Sequence, residues 1–220
     1  RDLHSFPTRR SSDLPTTPSL SIDPSNPDRI LWFGGGGVFR SADGGATWTL
    51  VMGSNTAAFA RAPSNPNVVY QRFGAVSRSA DGGSTWVTFP PGNVLPDLRP
   101  DTMSVDAADP DVVYGRDRNF VIRSTDGGET FRLASALSGP LHVVQAHPTV
   151  SSTVYAAGQG FLMRSADGGV TFTEMPLPAP DATVSELVIH PANPNVMYVT
   201  TFRNASGVFR STDGGMTYTR

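Results

Sequence analysis

Apolar and polar positions near the C-terminus of the chain follow a period of two rather than 3.6. Val184, Glu186, Val188 and His190 alternate with Ser185, Leu187 and Ile189, which predicts a strand with two unlike faces. Asn195 to Thr201 is a second β-rich run, Gly207 to Arg210 a third, and Thr217 to Thr219 begins a fourth. Turn formers separate them: Pro191-Ala-Asn-Pro194, Asn204-Ala-Ser206 and Asp213-Gly-Gly215. Four short strands in about forty residues is the pattern of one blade of a β-propeller.

The same unit recurs along the chain. Arg-Ser-x-Asp-Gly-Gly-x-Thr-aromatic occurs five times, at Arg40–Trp48, Arg78–Trp86, Arg123–Phe131, Arg164–Phe172 and Arg210–Tyr218. Its aspartates, Asp43, Asp81, Asp126, Asp167 and Asp213, are 38, 45, 41 and 46 residues apart. A looser signature, a proline-containing turn followed by an apolar run, precedes each one, as in PSNPNVVY from Pro63 and HPANPNVMY from His190. The turn chemistry explains the recurrence. Asp accepts N–H groups from the residues after it, two glycines supply positive φ, and Thr re-enters a strand. The closing aromatic (Trp48, Trp86, Phe131, Phe172, Tyr218) is large enough to fill space between neighbouring blades.

This string resembles the Asp-box, or BNR, repeat found in sialidases, sortilin-type receptors, xyloglucanases and photosystem assembly factors. The resemblance implies an all-β fold of five four-stranded propeller blades, over about 16–52, 53–92, 100–135, 139–176 and 182–220. It implies structural turns at the five boxes and leaves function open. Residues 4–14, HSFPTRRSSDL, resemble a translated sequencing adapter. On that reading residues 1–14 are foreign to the fold and 15–220 are a propeller fragment, an open arc of a larger ring.

Composition narrows the chemistry. With 22 Gly, 19 Pro and 38% hydrophobic residues, the chain is too rich in turn formers for a helical bundle and too apolar for a disordered tail. It has no Cys, which excludes disulfides, thiolate metal sites and a cysteine nucleophile. All 17 basic residues are Arg, and the net charge of −2 offers no footprint for nucleic acid. No apolar run is long enough to span a bilayer. Each box supplies a single carboxylate, too few for calcium, so neither metal nor cofactor is expected.

In an antiparallel blade the first-to-second and third-to-fourth turns share one end of the sheet. The second-to-third loops and the blade-to-blade linkers share the other, where a ligand site is expected. The polar candidates there are Arg99, Arg116, Arg118 and Arg203 for binding, with Asp97, Asp101 and Asp117 as candidate catalytic acids. The five box arginines hold one repeated strand position, which suggests a repeated structural job such as pairing with the next blade. Two function classes follow. One is an extracytoplasmic binding or scaffold module for protein or carbohydrate. The other is a fragment of a sialidase- or xyloglucanase-like glycoside hydrolase, which needs two carboxyl groups across one scissile bond.

Overall fold

The structure, a computed structural model, describes residues 19–90, 100–203 and 205–220. The adapter-like segment 1–14, Asp97, Arg99 and Asn204 lie outside the described residues. Every regular element among them is a β-strand, and no helix is long and apolar enough to cross a membrane. The chain divides into two compact units, 1–56 and 57–220.

The first unit holds blade 1, an antiparallel sheet of β1 (Ser19–Asp23), β2 (Asn26–Gly34), β3 (Gly37–Ser41) and β4 (Thr49–Met52) in sequence order. The second unit holds four more such meanders. Blade 2 is β5 (Ala58–Arg61), β6 (Val69–Phe73), β7 (Ala75–Ser79) and β8 (Val87–Phe89). Blade 3 is β9 (Thr102–Val105), β10 (Val113–Asp117), β11 (Phe120–Ser124) and β12 (Arg132–Ala136). Blade 4 is β13 (Leu141–Ala146), β14 (Val154–Gly158), β15 (Phe161–Ser165) and the two-residue β16 (Thr173–Glu174). Blade 5 is β17 (Thr183–Ile189), β18 (Met197–Phe202) and β19 (Gly207–Ser211). The expected fourth strand of blade 5 is reduced to one bridge, in which Thr219 pairs with Arg210. The fold class is thus the all-β propeller type.

Within the second unit the first strands pack in succession, β5 on β9, β9 on β13 and β13 on β17. Three apolar clusters join the blades. Tyr70 and Ala60 of blade 2 meet Met103, Val105 and Phe131 of blade 3. Tyr114 and Val121 of blade 3 meet Val144, Ala146 and Phe172 of blade 4. Tyr155 and Leu162 of blade 4 meet Leu187, Ile189 and Tyr218 of blade 5. Burial of these side chains, at about 1.5–3 kcal/mol each, is what holds one blade to the next.

One strand face differs from the alternation. Leu187 and Ile189 are buried, as is Val184, while Glu186 and Val188 are exposed. The register shifts between Val184 and Glu186, a β-bulge that adds one residue and exchanges the two faces beyond it. A strict period of two therefore mixes the inner and outer sets of β17.

Candidate functional site

The two ends of the sheets differ in how their polar groups are used. At one end lie the five Asp-Gly-Gly turns and the first turn of each blade. The N–H of the first glycine donates to a first-turn carbonyl of the same blade in every case: Gly44 to Asp28, Gly82 to Asn67, Gly127 to Asp111, Gly168 to Ser152 and Gly214 to Asn195. The two glycines of each turn have φ between +68° and +93°, a region that favours glycine.

The turn carboxylates are consumed locally. Asp43, Asp81, Asp126, Asp167 and Asp213 each accept from the hydroxyl two residues before, and from the hydroxyl and N–H of the Thr four residues after. In Asp43 these bonds, led by the Thr47 hydroxyl, lower the pKa to about 2. In Asp126 burial pushes the pKa up, but the bonds from Thr130 and Ser124 outweigh it and hold the group below the usual carboxylate range. The indoles of Trp48 and Trp86 donate to the carbonyls of Gly45 and Gly83 within their own turns, while Phe131, Phe172 and Tyr218 pack into the clusters between blades.

The first-turn position carries a second set of caps. Asp106, fully buried, accepts from the N–H groups of Ala108 and Asp109 and from Tyr114 Oη of its own blade. It also takes the Ser151 hydroxyl and the Ser152 N–H of blade 4. His147 and His190 do the same work through Nδ1, which accepts N–H groups from the two residues that follow their prolines. Burial, aided by the charge of Arg164, holds the His147 pKa below its ordinary value. Of the box arginines, Arg78 pairs with Asp111 of the next blade at 2.7 Å and donates to Tyr70 Oη. Arg123 instead lies over the Tyr114 ring.

The loop end presents unspent groups. Arg72 of β6 and Arg116 of β10 flank Asp101, each at 3.5 Å from its carboxylate. Arg116 also donates to the Leu141 carbonyl of blade 4 at 2.7 Å. The Nε atoms of both arginines are buried without a hydrogen-bond partner among the described residues. Next along the same end, the His142 ring stands edge-on to Phe202 at 5.7 Å, and the Arg203 guanidinium lies over the Phe202 ring at 5.6 Å. Burial, then the charges of Arg116 and Arg203, push the His142 pKa down. A cavity of about 300 Å³ adjoins them, lined by Thr102, His142, Gln145, Ser185 and Glu186 among others.

The structure thus brings together two of the candidates drawn from the sequence, Arg116 and Asp101. Arg203 joins the aromatic group beside them, and Arg118 is exposed at the β10–β11 turn with φ of 56°. Asp117 closes β10 opposite Phe120. Arg72, His142 and Phe202 complete the site and were not singled out. Arg72 had a signal: it stands two residues after Tyr70, as Arg116 does after Tyr114. His142 had none.

No family model matches the chain, and no curated protein matches it. Solved structures do. A GH74 enzyme from Niastella koreensis superposes with a TM-score of 0.69 at 21% identity, over 94% of this chain and 38% of its own. An ancestral GH74 enzyme gives 0.66 at 18%, over 87% of this chain and 30% of its own. The GH74 xyloglucanase from Xanthomonas campestris gives 0.52 at 17%, over 91% and 44%. The likeness is one of fold, a β-propeller, and the chain spans less than half the length of these enzymes.

Proposed function

We propose that the chain is a propeller binding module that takes a protein or carbohydrate ligand on its loop end and works outside the cytoplasm. One observation carries this reading: the turn carboxylates are consumed within their own turns, whereas at the loop end Arg72 and Arg116 converge on Asp101 beside the His142–Phe202–Arg203 group and a cavity of about 300 Å³. Arginine beside an aromatic ring is a common make-up of ligand-contacting surfaces. The extracytoplasmic setting rests on the resemblance to Asp-box proteins.

The test is a glycan array together with a peptide panel, followed by calorimetry on the hits. Arg203→Ala, at an exposed position, is expected to weaken binding about tenfold or more at unchanged melting temperature, and Arg116→Ala to weaken binding with a lowered melting temperature, because it also strips the Leu141 carbonyl and Asp101 of a partner. Binding that ignores both variants would contradict the reading.

The likeness to GH74 enzymes favours a second reading, hydrolysis of a β-glucan. It requires a carboxyl pair about 5–10 Å apart with room for the sugar. Asp101 is engaged by two guanidiniums, which suits positioning better than proton transfer. Turnover of xyloglucan that vanishes in both Asp101→Asn and Asp117→Asn would establish this second reading instead.

A further inference from the structure

Left-handed backbone at the loop end falls on arginine in two places. The second-to-third-strand turns of blades 1, 2 and 4 enter that region with glycine, at Gly36 (φ 102°), Gly74 (φ 73°) and Gly160 (φ 77°). Those of blades 3 and 5 enter it with Arg118 (φ 56°) and Arg203 (φ 59°), and both read Arg-Asn. Arginine is a poor choice on backbone grounds, because its Cβ crowds the chain there, whereas glycine or asparagine tolerates the region. No ion pair offsets the strain: both arginines are exposed, and neither has an acid within ion-pair distance among the described residues. Blade 3 is packed between blades 2 and 4, so Arg118 is exposed with a neighbour on either side. Arg203 leans towards blade 4, since its guanidinium lies over Phe202, which meets His142 of β13.

Blade 4 stands between the two arginines, and beside its His142 opens the cavity of about 300 Å³. That volume is at the small end for ligand sites, which run about 300–1,000 Å³, and suits a single ring. Its wall carries the hydroxyls of Thr102 and Ser185, the amide of Gln145, the imidazole of His142 and the carboxylate of Glu186, together with Met103 and Leu187. Such a mixture matches a pyranose, which has hydroxyls at its rim and C–H groups on its faces.

We infer that the loop end takes an acidic polysaccharide, a chain of uronic acid units, with carboxylates on Arg118 and Arg203 and one ring in the cavity beside His142. This rests on the loop end being the binding face, as proposed above. Guanidiniums on two alternate blades, 3 and 5, call for an anion that repeats along the ligand, and a uronic acid chain carries one on every unit. Each exposed guanidinium can make charge-assisted, bidentate bonds to a carboxylate. Asp101 does not compete for them, being held between Arg72 and Arg116. Glu186 accepts from ring hydroxyls in the cavity rather than meeting the carboxylates.

Calorimetry on the full chain tests this with oligogalacturonate and oligomannuronate, a neutral cello-oligosaccharide of the same length, and an oligo-glutamate peptide. At least one uronate should bind, with an affinity that falls as salt rises, and the neutral sugar and the peptide should not. Arg118→Gly and Arg203→Gly place in each turn the residue its backbone favours. Both variants should therefore melt no lower than the wild type while weakening uronate binding about tenfold or more. A neutral sugar that binds as well, a peptide that binds in place of the uronates, uronate affinity indifferent to both glycine variants, or no binding of either uronate would each overturn the inference. An uncharged ligand from the glycan array that loses affinity in Arg203→Ala would also overturn it, while leaving the binding reading intact.

Discussion

Asp126 takes hydroxyl and N–H donors from both sides of its turn, and its repeats do the same. Replacing Asp126 by Ala leaves those donors without their acceptor and is expected to cost about 1–2 kcal/mol in chemical denaturation, with no change at the loop end. The pH dependence follows from the same bonds. A carboxylate whose folded pKa is lowered contributes stability that is complete above the unfolded value near 4 and is lost as pH falls through the folded one. With Asp43 at about 2 and the other four also lowered, acid should erode stability below about pH 4. His147 adds an earlier step. Its Nδ1 accepts two N–H groups only while neutral. Its lowered folded pKa means stability complete above about pH 6.5 and lost as pH falls further. His147→Asp, which installs the residue found at Asp23 and Asp106, should flatten the part of the melting curve between about pH 7 and 5. A variant with the wild-type pH slope would show that the cap does not titrate.

At the scale of the element, the Asp-Gly-Gly turn serves two sheets. Its glycines take positive φ for their own hairpin, and Gly128 and Gly169 also let the preceding blade approach closely. Phe131, 8% exposed among Tyr70, Val105 and Ile122, should cost about 3–4 kcal/mol on replacement by Ala, measured by urea denaturation. A cost below about 1 kcal/mol would mean the ring does not join the blades. This level was the most legible in the sequence, since five copies of one turn reveal a blade that a single copy would not. The bulge in β17 was not legible: alternation assumes one residue per pleat, and the extra residue between Val184 and Glu186 leaves no compositional mark.

For the whole molecule, the division of labour between sheet ends was legible from topology, because antiparallel order alone decides which loops share an end. The site itself was legible in part. Arg116, near the end of β10, and Arg203, just after β18, stand at the sheet end that topology marks, and the arginine position shared by Arg72 and Arg116 is visible once the repeats are aligned on Tyr70 and Tyr114. His142 and its neighbours could not be read, because their meeting depends on β13 lying beside β10 and β18 in space. The central claim is that the turn end stabilises and the loop end binds. The measurement that tests it most directly sets Arg203→Ala, at an exposed position, beside Asp126→Ala, recording ligand affinity and thermal melt for both. The account predicts lost affinity at unchanged melting temperature in the first, and a lowered melting temperature at unchanged affinity in the second. The reverse pattern, or both properties falling together in both variants, would contradict it.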